Sequence, residues 1–106
     1  MTSEKPTQHE LHLKINNIEV QTVLVGRHYL EKHSSYMNDE LILDLVASLD
    51  GGSFPVDSIT DGTEYFVADV EWGDPLKVYR LIWLFEGEKL EILGVVNAYR
   101  RTPKKK

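Results

Sequence analysis

The chain contains no cysteine. That excludes a disulfide framework and any thiolate metal site. No apolar run approaches the ~20 residues needed to span a bilayer. The opening stretch, MTSEKPTQHE, lacks the apolar core of a signal peptide. A cytoplasmic protein away from membranes is the simplest expectation. Signature motifs are scarce too: there is no HExxH, no glycine-rich phosphate loop, no GxSxG elbow and no paired-acid glycosidase pattern. Positive charge is in short supply, with 12 Lys and Arg against 17 Asp and Glu, a formal net charge of −5. Five of the basic residues are Arg100, Arg101, Lys104, Lys105 and Lys106, and removing the three terminal lysines would take the charge to −8. An acidic body with a basic end is not the usual footprint of a nucleic-acid binder.

What is present is enough for one core. At 106 residues, 42% of them hydrophobic, the chain has room for a single domain and no second one. Residues 1–9 read as a disordered N-terminus, 10–101 as one α+β domain and 102–106 as a basic flexible tail. Leu11, Leu13 and Ile15 alternate with polar residues, as do Ile18 and Val20 beyond Asn16-Asn17. Asparagine tolerates the left-handed backbone of a tight turn, so 10–16 and 18–25 predict a β-hairpin. Arg27 to about Ser34 reads as a short helix. Asn38 is an N-cap for a second helix over 39–50, with Leu41, Ile42, Leu45, Val46 and Leu49 at helical spacing. Asp39, Glu40, Asp44 and Asp50 read as its solvated face. Residues 53–62, rich in Gly, Pro, Ser and Asp, read as a loop. Glu64–Trp72, Leu76–Phe85 and Lys89–Arg100 then predict an antiparallel meander. The expected fold is α+β: an N-terminal β-hairpin and two helices packed on a C-terminal three- to four-stranded antiparallel sheet.

The last hairpin sets which residues share a face. A two-residue turn at Glu86-Gly87 places Arg80 with Asn97, Tyr99 and Arg101, opposite an apolar face of Tyr79, Leu81, Trp83, Phe85, Leu90, Ile92, Gly94, Val96 and Ala98. A three-residue turn would flip every partner and bury Arg80 among aliphatic side chains, which is costly for an unpaired charge. The two-residue turn is therefore expected.

Few residues carry chemistry. His28 and His33 are five apart, about 140° around a helix, which is not the spacing of a metal pair; neither a metal nor another cofactor is expected. His28 opens a helix, where amide groups attract anions and an imidazole exchanges protons near neutral pH. A half-buried corner histidine is the plainer reading. Arg80 suits phosphate binding or a cross-strand pair with Glu91 or Asp69. Tyr99 can stack on a base or transfer a proton, or simply end a strand. Trp72, Trp83 and Tyr79 read as packing residues.

The stretch GRHYLEKHSSYMNDELILDLV resembles the helical opening of small RelE/BrnT-like proteins, where a His begins one helix and a polar cap starts the next. His28, Leu30, Glu31, Lys32, Asn38 and Ile42 carry the match. YRLIWLFEGEKLEILGVVNAYRR resembles that family's closing hairpin. The resemblance spans residues 26–101 and implies the ribonuclease fold shared with barnase, EndoU and colicin-D-like domains. It implies a metal-independent, toxin-like ribonuclease whose partners are RNA and a cognate antitoxin or inhibitor. His28 would be the acid or base, Arg80 and Arg101 the phosphate clamp, and Tyr99 a proton-transfer or stacking group. Lys32, His33, Asn97 and Arg101 would contact nucleic acid. The acidic body and the N-terminal hairpin depart from that pattern. They keep open a small acidic binding protein of the immunity, inhibitor or nucleic-acid-mimic type. A dimerisation module would require an exposed apolar patch.

Overall fold

The computed structural model describes residues 5–101. The expected basic tail, 102–106, lies outside the described residues, as do residues 1–4. Strand β1 (Thr7–Ile15) and strand β2 (Ile18–Val25) form the N-terminal hairpin. Its turn residues, Asn16 and Asn17, have φ of 54° and 66°, the left-handed pair that a two-residue hairpin turn needs. β1 starts at Thr7, so Thr7, Gln8 and His9 belong to a strand rather than to a disordered arm.

The two expected helices reduce to one. His28–Glu31 is a single 3₁₀ turn without a side-chain cap. Helix α1 spans Asp39–Ala47, and Asn38 Oδ1 caps it by accepting the Leu41 amide at 2.8 Å. A short strand β3 (Ser58–Thr60) lies inside the expected loop and pairs with β4 (Thr63–Trp72). Between them Asp61 and Gly62 have φ of 52° and 80°, the Asp-Gly form of the same tight turn. β5 (Lys77–Glu86) and β6 (Ile92–Arg101) complete the meander.

The expected architecture is corrected most at the sheet. The N-terminal hairpin is not a separate feature, because β2 pairs in parallel with β6 through Thr22–Val25 and Ile92–Val95. The result is one six-stranded mixed sheet in the order β1-β2-β6-β5-β4-β3. The physical reason is edge burial. The first half of β6 would otherwise present unpaired amides and carbonyls beside an apolar face, and β2 covers them. Gly26 closes this junction: its amide donates to Val95 O at 2.9 Å, and an added Cβ would sit 2.9 Å from that oxygen.

The last hairpin also differs. Glu86 pairs with Ile92, so the connection is five residues long, Gly87–Glu91, and Phe85 faces Leu93. Next to the turn, the faces are those of the register that the sequence reading rejects. A bulge then leaves Val96 unmatched between the Trp83–Val95 and Ile82–Asn97 pairs. Beyond it the parity reverts, and Arg80 stands opposite Tyr99. Leu93, Val95 and Ala98 therefore face the core with Leu81 and Trp83, while Ile92 and Gly94 do not.

Helix α1 covers one face of the sheet with Ile42, Leu45 and Val46, all fully buried. Trp83 fills the centre between Phe54 and Phe66, with ring centroids at 5.3 and 5.8 Å. Tyr79 is also core, whereas Trp72 is exposed near the β4–β5 turn. Among the described residues no helix is long and apolar enough to cross a membrane.

Candidate functional site

β2 stops opposite Val95, but β6 runs on to Arg101. The segment Arg27–Met37 follows the edge that this leaves, as two reverse turns. His33 N donates to Tyr29 O at 2.7 Å, and Met37 N donates to His33 O at 2.9 Å. These turns deliver His33 and Tyr36 to β6. The His33 ring stacks on Tyr99, centroids 5.4 Å apart and planes 24° from parallel. Its Nδ1 lies 2.8 Å from Tyr36 Oη. Tyr36 Oη in turn accepts the Arg100 amide at 3.3 Å, and the Arg100 guanidinium lies over the Tyr36 ring at 4.6 Å. Edge amides that would otherwise invite another strand are thus occupied by side chains. The Ala98 amide is another, donated to Asn97 Oδ1 at 2.9 Å.

Beside Tyr99, the register puts Arg80 and then Asp69 in one row across β6, β5 and β4. Arg80 Nε donates to Asp69 Oδ1 at 2.9 Å, and Arg101 Nη1 donates to Asp69 Oδ2 at 2.8 Å. The Arg80 bond, with help from Arg101 and against a smaller cost of burial, holds the Asp69 carboxyl below its usual range. Arg80 is held more firmly charged, first by Asp69 and then by Tyr99. One carboxylate therefore serves two guanidinium groups, and Glu71 stands in the next row of the same face, across Val78 from Arg101.

The expected site residues divide accordingly. Arg80, Tyr99 and Arg101 share a face, and Asp69 is the counter-charge of Arg80. His28 does not join them: it is exposed, and its ion-pair partner is Glu31 at 3.9 Å. His33, expected only as a nucleic-acid contact, is the imidazole that reaches Tyr99. Lys32 is exposed and bonds through its backbone amide to Tyr29 O. The Asn97 oxygen is spent on the strand edge. Tyr36 was not anticipated, and no local motif marks it; only the path of the chain around β6 brings it in.

A second polar cluster supports the first. Asp39, expected on a solvated helix face, instead accepts hydrogen bonds from Thr7 Oγ1 and Tyr29 Oη, each at 2.6 Å, and from Arg27 Nη1 at 3.0 Å. His9 Nε2 lies 3.5 Å from it. Burial works to raise the Asp39 pKa, but the Thr7 and Tyr29 bonds and the Arg27 charge outweigh it and hold the carboxyl below its usual range. Burial, then the bond to Asp39, pushes the Tyr29 phenol up to about 12. This hub ties β1, the 3₁₀ turn and α1 together, and so fixes where the His33 segment starts. Among the described residues, no three His, Asp or Glu side chains converge as a metal site.

Comparison with protein-family models, with curated proteins and with solved structures yields no match.

Proposed function

We propose that this protein is a metal-independent ribonuclease of the toxin-like kind, with His33 in the role that the sequence suggested for His28. The observation that carries the reading is the stack of His33 on Tyr99 beside the Arg80 guanidinium. An imidazole, a phenol and a cation on one surface are the groups that a 2′-hydroxyl attack on a phosphodiester needs: a proton carrier and a stabiliser of the charged phosphorane. Tyr36 Oη, 2.8 Å from His33 Nδ1, orients the ring; in the doubly protonated imidazolium Nδ1–H would donate to Tyr36 Oη and Nε2–H would pass to the departing oxygen, leaving a neutral imidazole. Among the described residues Nε2 has no hydrogen-bond partner. Arg80 and Arg101 would hold the phosphate once it displaces Asp69. The partners of this reading are RNA and a cognate inhibitor protein.

The second reading, a small acidic binding protein without catalysis, draws on one specific observation. Asp69 already fills the space between the two guanidinium groups, on a body of net charge −5.

The test is cleavage of a mixed RNA in the presence of EDTA. His33→Ala should lower the rate by ~10²–10⁴, the usual contribution of a general acid or base, and His28→Ala should leave it unchanged. Asp69→Asn separates the readings. It should tighten RNA binding and steepen its salt dependence by about one unit of slope per phosphate gained. Wild-type protein that neither cuts RNA nor arrests growth when expressed, with an Asp69→Asn variant no better at binding RNA, would leave the binding-protein reading in place.

A further inference from the structure

At the end of β2 remote from Gly26, the first hairpin turn meets the loop that follows α1. Between them lies an open cavity of about 660 Å³, lined by Lys14, Asn16 and Asn17 on one side and by residues 51–55 on the other. Polar bonds lock the two walls together. The Asn16 side chain clips the Phe54 backbone, accepting its amide at 2.6 Å and donating to its carbonyl at 3.0 Å. Asn16 N donates to Gly52 O at 2.9 Å, Gly51 N to Lys14 O at 2.7 Å, and Lys14 N to Asp50 Oδ1 at 2.8 Å. Gly52 leaves room for the wall, since an added Cβ would lie 2.9 Å from Phe54 Cε2. The Phe54 ring is itself anchored by its edge contact with the buried Trp83. The shape of the cavity is thus set in advance, which spares a ligand the cost of ordering it.

What the walls leave unspent selects the ligand. Among the described residues the side chains of Asn17 and Ser53 make no hydrogen bond, and both are exposed. An amide and a hydroxyl offer donors and acceptors together. Lys14 adds donors but no surplus of positive charge. Glu19 stands opposite it on β2, and Asp50 sits beside it on its backbone amide. An anion therefore gains little here. Phe54 and Pro55 supply apolar surface, yet a wholly apolar ligand would strip water from Asn17 and Ser53 without replacing its hydrogen bonds. A pyranose ring meets both demands: hydroxyls around its rim donate and accept, and its C–H faces pack on aromatic and proline rings. The volume lies within the range of small-molecule sites and leaves room for more than one ring. We propose that this cavity binds a neutral pyranose sugar, as one end of an oligosaccharide that leaves by the open side. The site is separate from His33 and Tyr99 and does not rest on the ribonuclease reading.

The test is an NMR titration of the isotope-labelled full chain with glucose, galactose, mannose and N-acetylglucosamine, each added to about 50 mM, since a single ring binds in the millimolar range. At least one of the four should shift the amides of Asn17 and Ser53 and leave that of His33 in place. Asn17→Gly, which suits the left-handed turn at φ 66°, and Ser53→Ala should each weaken that binding about three- to tenfold, as the loss of one hydrogen bond does, with the rest of the spectrum unchanged. Glucuronate should bind no better than the neutral sugars. Three results would each overturn the proposal: none of the four sugars moves these amides, both variants bind as wild type does, or glucuronate alone binds, which would make the cavity an anion site built on Lys14.

Discussion

Asp39 and Asp69 illustrate how one residue type acquires two roles from its surroundings. Asp69 lies on the sheet surface and shares its charge between the half-exposed Arg80 and the exposed Arg101, so its interactions are screened by water and salt. Asp39 sits where three elements meet and accepts from a hydroxyl, a phenol and a guanidinium. The pH response of stability therefore belongs to the Asp39 hub. A carboxyl held below its ordinary value of 3.8 stabilises the fold above that pH, and the contribution is lost as pH falls through the depressed value. A phenol raised from 10.0 to about 12 stabilises the fold below pH 10 and loses that contribution as pH rises toward 12. Thermal melting across pH should show both flanks. Asp39→Asn should flatten the acid flank and Tyr29→Phe the alkaline one, while Asp69→Asn should change neither by much. An alkaline flank unchanged in Tyr29→Phe would remove the phenol from this account. The sequence shows Asp39 as one more acid at a helix start, because its partners come from Thr7, Arg27 and Tyr29.

At the scale of elements, local signals located most boundaries. Asn16-Asn17, Asn38 and the alternating runs mark the first hairpin, the helix cap and the meander, and each element starts or stops within a few residues of those signals. The Asp61-Gly62 pair marks β3 equally well but is masked by the polar composition around it. What local signals could not decide was register. Two parities coexist on the last hairpin because the bulge at Val96 inserts one residue, and no motif distinguishes that residue from its valine neighbour. The junction at Gly26 is more specific. A methyl group there would meet Val95 O at 2.9 Å, closer than carbon and oxygen pack. Gly26→Ala should cost about 1–3 kcal/mol, as overpacking does, read from the midpoint of urea unfolding. On the proposed ribonuclease reading, the same variant should also lower RNA cleavage, since Gly26 leads into the His33 segment. A midpoint equal to that of wild type would show that the β2–β6 junction gives way easily.

Across the whole molecule, one sheet carries both the core and the proposed surfaces. β6 is paired on one side along its length and on the other through Val95, while β3 has three exposed residues at the far edge. Stability should be graded to match. Hydrogen exchange should find the slowest amides in β5 and in the first half of β6, and the fastest strand amides in β3. Residues 97–101 should fall between, held by Asn97 and Tyr36 rather than by a strand. Equal protection throughout β6 would mean that the segment Arg27–Met37 seals the edge as firmly as β2 does.

By itself, the sequence determined a chain without cysteine chemistry, a tight asparagine turn, a capped amphipathic helix and three alternating strands. It also placed Arg80, Tyr99 and Arg101 together, since alternation is a local property and two parity changes between the turn and Tyr99 cancelled. Only the tertiary structure decided that β2 joins β6 in parallel, that the first helix is a single 3₁₀ turn, and that His33 rather than His28 reaches Tyr99. Those outcomes depend on which strand edge is covered and on how the chain turns around it. Both are set by burial between residues some seventy positions apart, as Thr22 and Ile92 are, and no local pattern encodes it.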